Sequence, residues 1–388
     1  MDNLIQTMMH LIRCEIVQEP LPAELQAGLS EDTLKQLYRL SKAHDLAHLV
    51  GSALDENHLL PNDSPIADKF RKQVFTAVYR YQQLQYELEQ ISRALEEAHI
   101  PFIPLKGSVL RQYYPQSWMR TSCDVDILVH EADLEKASTV LLEKLSYQQN
   151  TKGSHDIAFG TPTGMHIELH YDLIEENHIN GKSEQLLKLV WDHAFCKPDS
   201  FHFYMTDEMF YYYHIAHMAK HFVIGGCGIR PFIDLWVLNH RISYDEEKRR
   251  KLLQEGGLLS FEQAAVKLSE VWLSDAEQNE VTNTMQKYVL SGGVYGNTEN
   301  RVAVQQQKKG GKIRYIMSRI FLPYSILKFH YPILQKHKWL LPFMEIRRWF
   351  KLIFRGGFKR SANEMKINRM MSAEKQAETA KMMEQLGL

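Results

Sequence analysis

The chain has 388 residues, 44% of them hydrophobic and 24% charged, a balance that supports a folded core and excludes disordered, collagen-like and low-complexity classes. Its net charge of −1 hides a division: residues 1–300 carry 27 Lys and Arg against 42 Asp and Glu, whereas residues 301–360 carry 15 against the single acid Glu345. Cys14, Cys123, Cys196 and Cys227 lie far apart without zinc spacing, and with no signal-peptide pattern or membrane-spanning apolar run the expectation is a reduced, cytoplasmic protein.

Residues 1–78 read as a helical region broken at Pro20, Pro22, Pro61 and Pro65. From 79 to 98, Leu84, Leu88, Ile91 and Leu95 recur at helical steps, and that helix should stop before Pro101. The period then changes. PFIPLKG (101–107) enters a strand, SVLRQYY (108–114) opens a helix, and DVDILVH (124–130) alternates as a strand. EADLEKASTVLLEKL (131–145) is an amphipathic helix with Leu134, Ala137, Leu141 and Leu145 on one face. Residues 155–173 read as two strands joined by a turn at Thr161–Gly164. The order predicts an α+β chain, with a small mixed-sheet domain over 79–205 between helical regions. A helical domain over 206–300 follows, with helices at 207–222 and 229–242 around a Gly225–Gly228 turn. A basic helical segment over 301–388 ends the chain, its last helix expected to be solvated or to face a partner.

Asp124 and Asp126 leave the same face of their strand, while Val125 and Ile127 point into a core. Two neighbouring carboxylates repel unless a cation neutralises them, and Mg2+ is the simplest oxygen-seeking candidate. Gly107-Ser108 stands where a strand gives way to a helix: glycine admits close approach of a phosphate and Ser108 adds a hydroxyl, although without the acids downstream a simple turn capped by Ser108 is the preferred reading. In MHIELHY, His166, Glu168 and His170 share one face, so Glu168 joins the two aspartates if the strands are neighbours. Three acids from two strands are the ligand set of a two-metal phosphoryl-transfer site; a zinc site on His166, Glu168 and His170 is the competing reading, and it leaves the aspartates unexplained. Lys106 and Arg120 are candidate phosphate cations or solvated loop residues.

The runs PLKGSVLRQYYP, WMRTSCDVDILV and HIELHYDL together resemble the uncharacterised nucleotidyltransferase family of the DNA polymerase β-like nucleotidyltransferase superfamily. The likeness covers roughly residues 85–240. It implies that Gly107 and Ser108 hold the β- and γ-phosphates of a nucleotide, with Lys106 and Arg120 nearby. It further implies that Asp124 and Asp126 bind one Mg2+ and, with Glu168, a second, Mn2+ being the alternative ion. An acceptor hydroxyl on a small molecule or peptide then attacks the α-phosphorus of the NTP and pyrophosphate leaves. Attack at the γ-phosphate is the kinase-like variant, and the resemblance names no acceptor.

His214, His217 and His221 fall on one face of the 207–222 helix beside Lys220. This is either a packed face or a wall closing the cleft, with His170, His217, Lys220, His221 and Arg230 toward the acceptor or triphosphate. Arg230 and Asp234, one turn apart, are expected to pair. Over residues 301–360 cations interleave with aromatics, as in IRRWFKLIF. Three roles compete for this segment: packing on the acidic body, binding an anionic membrane, or binding RNA. The alternative function is thus a non-catalytic or kinase-like relative that binds a membrane, nucleic acid or partner through 301–360.

Overall fold

A computed structural model describes residues 2–174, 180–354 and 358–388. Helices α1 (Asp2–Ile16), α2 (Ala23–Gln26), α3 (Glu31–Ala43) and α4 (Ala47–Glu56) lead into the 33-residue α5 (Pro65–Glu97). Pro65 does not break this helix; it starts it. At the first helical position its fixed φ is suitable and its missing N–H has no partner to lose. The expected helix from 79 is therefore the second half of a longer one.

The sheet contains β1 (Phe102–Pro104), β2 (Asp124–Val129), β3 (Gln148–Lys152), β4 (Asp156–Gly160) and β5 (His166–His170), in the order β1-β2-β5-β4-β3. Only the β2–β5 pair is parallel; β1–β2, β5–β4 and β4–β3 are antiparallel. The short α6 (Gly107–Leu110) connects β1 towards β2, and α7 (Leu134–Thr139) follows β2. Val125, Ile127, Val129, Ile167 and Leu169 face α5 and α7, where they pack with Leu84, Ile91, Leu95, Leu134 and Leu141. The period-2 alternation of a strand sends Asp124, Asp126, Glu168 and His170 to the other face.

That other face is roofed by helices. After α8 (Gly181–Leu187) and a small hairpin of β6 (Ala194–Cys196) and β7 (Phe203–Met205) comes α9 (Asp207–Ile224), which is buried nearly all round, as an apolar helix in the middle of a core must be. Next are α10 (Arg230–Arg241), α11 (Glu246–Glu255), α12 (Leu259–Leu273), α13 (Glu280–Leu290) and α14 (Thr298–Lys309). Leu128, Ile103 and Leu105 join this helical core together with Phe210, Phe222, Phe232 and Phe261. The chain ends with α15 (Lys312–Ile320), α16 (Tyr324–His330), α17 (Ile333–Lys336), α18 (Leu341–Phe354), α19 (Phe358–Met370) and α20 (Ala373–Leu386).

One sequence expectation changes at the C-terminus. The last helix, α20, is not a solvated tail: Met382, Met383 and Leu386 are buried in the main core. Within the basic segment, α14 packs against α9 and places Val304 in the main core. Arg301 and Arg319 pair with Glu364, and Arg348 pairs with Glu345, so these three ion pairs are local to the C-terminal helices.

Candidate active site

The register of the parallel β2–β5 pair builds the site. Asp126 lies opposite Glu168, Asp124 opposite His166 and Leu128 opposite His170, so the two acids of β2 and the Glu of β5 come out side by side. Lys106 reaches into this group from the end of β1. Its Nζ is 2.7 Å from Asp126 Oδ1 and 3.9 Å from Glu168 Oε2. His170 Nε2 is 2.9 Å from the same Asp126 oxygen and 3.4 Å from Glu168 Oε2, and His166 Nε2 is 3.4 Å from Glu168 Oε1. Lys106 adopts φ +47°, a left-handed conformation costly for a residue with a Cβ. The ion pair with Asp126 accompanies that strained backbone.

The electrostatics divide the two aspartates. Burial penalises the charge of Asp126, but Lys106 and His170 outweigh it and hold the carboxyl well below the usual range. Asp124 lacks those contacts, and burial, reinforced by the charge of Asp126, pushes it up to about 6. Burial likewise opposes the charged forms of Lys106 and His170, yet both are raised, Lys106 by the charges of Asp126 and Glu168, His170 by its hydrogen bonds to the same two acids. The result is a compact cluster of two carboxylates, an imidazole and an ammonium.

These residues form one wall of a cleft of about 390 Å³. The opposite wall is α9, with His214, His217, Lys220 and His221, and the start of α10, with Arg230. His217 Nε2 is 3.2 Å from His221 Nε2, and His214 Nε2 is 3.1 Å from the carbonyl of Pro231. Burial, then the charges of Lys220 and His221, push His217 well below its ordinary value, so it is neutral at pH 7.

Several expected residues take other roles. Arg230 does not pair with Asp234: its Nη1 lies 2.9 Å from Asp45 Oδ2 and donates to the carbonyl of Thr121 at 3.1 Å. Asp234 is fully buried and accepts instead from Arg120 Nε at 2.7 Å and from the Tyr114 hydroxyl at 2.6 Å. One-turn spacing within α10 lost to two loop residues that reach the buried carboxylate from the strand side. Arg120 is therefore a buried, paired cation that lines the cleft, not a solvated loop residue. Ser108 lines a different cavity, under Tyr81, Arg111 and Tyr204. The hydroxyl beside the aspartates belongs to Ser122, which accepts from Arg111 Nη2 at 2.9 Å. A Cβ on Gly107 would sit 3.2 Å from the Cβ of Ser122, a tight contact that Ser122 would have to yield to.

The atoms that converge closely enough to share a cation are one each from Asp126, Glu168 and His170, all within 4.8 Å of one another. Asp124 stands on the same wall but outside that trio, and His170 stands where an aspartate was expected. Extending the alternation of β2 back by two residues would have found Ser122. Nothing local pointed to Tyr295, a residue 77% exposed at the cleft mouth. Its loop is clamped in place: Val294 N donates to Ala43 O at 3.1 Å, Gly228 N to Val294 O at 3.1 Å, and Asn297 N to Gly225 O at 3.2 Å. Gly296 has φ +68°, and a Cβ there would lie 2.1 Å from the carbonyl oxygen of Gly225, so only glycine closes the loop.

Fold and cleft together define an α+β protein with paired carboxylates facing a cation-lined wall, a polar site suited to a multiply charged ligand. The chain belongs to the family described as uncharacterised nucleotidyltransferase, whose model matches residues 30–274. The match reaches beyond the 85–240 stretch that carries the motifs and takes in α3, α4 and most of the helical roof. Comparison with curated proteins and with solved structures returns no match.

Proposed function

We propose that the protein transfers a nucleotidyl group from an NTP to an acceptor hydroxyl of a small molecule or peptide, releasing pyrophosphate in a Mg2+-dependent reaction. The observation that carries this reading is the register match of Asp126 with Glu168 on adjacent parallel strands, within a chain of nucleotidyltransferase family.

The donor set suits a divalent ion. Two carboxylates offer hard oxygen ligands, and the imidazole of His170 makes Mn2+ acceptable as well. Asp126 and Glu168 would hold it, with Asp124 beside them for a second ion. When bound, such ions neutralise triphosphate oxygens and lower the pKa of a hydroxyl. The protein's own groups do the rest. Lys106, Arg120 and Arg230 present positive charge along the cleft and favour a bound polyphosphate. Neutral His217 stands opposite the acids, placed to accept the proton of an acceptor hydroxyl. Tyr295 offers a planar ring at the mouth on which a base can stack. No covalent protein nucleophile is needed, because positioning and charge neutralisation supply the catalysis.

Incubation of the full chain with each NTP, Mg2+ and a cell extract should release pyrophosphate and add a nucleotidyl mass to the acceptor. A product heavier by one phosphate would instead establish attack at the γ-phosphate. If Asp126→Asn releases as much pyrophosphate as the unaltered protein, the proposed site is wrong.

A further inference from the structure

Helix α18 is turned the unusual way round. Its charged residues Glu345 and Arg348 face the protein: Arg348 Nε is 2.7 Å from Glu345 Oε2, Glu345 Oε1 accepts from the backbone N–H of Leu322 at 2.6 Å, and Glu345 is buried. Trp349, on the same side, donates to the carbonyl of Ile320 at 2.9 Å and packs edge-on against Phe321. The opposite side carries Phe343, Ile346, Phe350 and Phe354, spaced 3, 4 and 4 residues apart, which is one helical stripe. Together with Trp339 just before the helix, these side chains are 46–79% exposed. Exposed Arg347 and Lys351 flank the stripe on one side. Three helices earlier, on α15, Ile313 and Met317 repeat the pattern, exposed at i and i+4 beside Arg314.

A continuous apolar stripe of this size on the surface marks an interaction site. Charge decides what covers it. Residues 301–360 carry fifteen cations, and their only acid is Glu345, which points inward. A second copy docking stripe against stripe would bring the same positive field and be repelled. RNA needs cations at the centre of its contact, with phosphates between them, whereas here the centre is aromatic and the cations lie at the margin. An apolar stripe bordered by Lys and Arg fits a surface of acyl chains beneath anionic headgroups. Among the described residues, no helix is long and apolar enough to cross a membrane, so the helix would lie in the interface. We propose that α18, with Trp339 and the exposed face of α15, is a docking surface for an anionic lipid bilayer, carrying the nucleotidyltransferase-family body to the membrane surface.

The full chain is tested by co-sedimentation with vesicles of phosphatidylcholine alone and of phosphatidylcholine with roughly one third phosphatidylglycerol, at about physiological ionic strength. The protein should pellet with the anionic vesicles and bind neutral ones at least about tenfold more weakly. Phe343→Ser with Phe350→Ser should lower the anionic partition at least about tenfold, with thermal melting unchanged because both rings are exposed. Arg347→Glu with Lys351→Glu should weaken binding to anionic vesicles and leave neutral ones unaffected. Failure of the unaltered chain to pellet with anionic vesicles overturns the proposal, as does a phenylalanine variant that pellets as well as the parent. Retention by an RNA oligomer, or a concentration-dependent dimer that the phenylalanine changes abolish, with no vesicle binding in either case, assigns the stripe to that partner instead. The readout is independent of catalysis, so it stands or falls apart from the proposed reaction.

Discussion

In the cleft, acids and cations leave water together: Asp126, His170, Lys220 and Asp234 are all buried, and each charge is there because another group, or a ligand, meets it. Along α18 the inversion runs the other way. An ion pair is sheltered while four apolar side chains face out. Both regions depart from the common rule of apolar inside and charged outside, and such departures gather where a protein meets something else. The difference lies in what completes them. The cleft is already close to neutral through its own residues, so a ligand must displace or extend existing contacts. The stripe on α18 stays 46–79% exposed, so a flat apolar surface would cover it without rearrangement.

The sharpest way to break the cleft half of this contrast is to remove its central charge. Asp126→Asn keeps the volume of the side chain and abolishes the anion that Lys106 and His170 share. Pyrophosphate release should fall at least about a hundredfold, roughly 3 kcal/mol in transition-state stabilisation. Mn2+ binding, followed by electron paramagnetic resonance, should weaken in Asp126→Asn and Glu168→Gln more than in Asp124→Asn, because Asp124 lies outside the converging trio. Equal losses for all three would restore the ligand set read from the sequence.

The two arginines of the cleft test whether burial makes the pairing costly. Arg120 faces Asp234, whose side chain is 1% exposed, whereas Arg230 faces Asp45, whose side chain is 48% exposed. Arg120→Ala strands a buried carboxylate and should cost about 3–5 kcal/mol of stability in denaturant unfolding. Arg230→Ala should cost no more than about 1 kcal/mol, and any loss of activity there reads as a ligand contact. Similar destabilisation by both would mean that burial does not set the cost of breaking these pairs.

A smaller effect belongs to Tyr295. Tyr295→Ala should raise KM for the nucleotide about tenfold, the order of one lost base-stacking contact, and leave kcat nearly unchanged. Tyr295→Phe should restore KM, since the ring and not the hydroxyl is invoked. A change confined to kcat would take the residue out of base binding.

The division between what was and was not legible in the chain follows the range of the interactions. Alternation in DVDILV and HIELH already places three acids on strand faces, because side-chain direction is local. That β2 and β5 are parallel neighbours with Asp126 against Glu168 depends on the crossover, which no local period reveals. Strand β3 escaped because QQNTK is an exposed edge with no apolar alternation, and β6 and β7 because three-residue strands carry too little pattern. Pro65 read as a breaker when it was a starter. Asp234 was drawn to Arg230 by helical spacing, and Arg120 wins it through a contact 114 residues apart in sequence. The likeness to the nucleotidyltransferase family was carried by local motifs, so it was legible; the partners of Asp45 and the seat of Tyr295 are tertiary and were not.

The smallest expected effect is also the one that separates the two regions most cleanly. Phe222 is fully buried and packs edge-on against Phe261 and at a tilt against Tyr288; Phe222→Ala should cost about 3–5 kcal/mol through lost contacts and a cavity. Phe350 is 58% exposed, and its ring meets only the neighbouring Phe354 among the aromatic pairs found. Phe350→Ser should therefore move stability by no more than about 0.5 kcal/mol in either direction, measured by urea unfolding of the full chain. Same residue type, same chain, and a roughly tenfold difference in free energy would show that nothing within the protein holds the stripe of α18. A cost near that of Phe222 would show the opposite: the ring is buried in the folded chain in solution, and the outward face is closed by the protein itself.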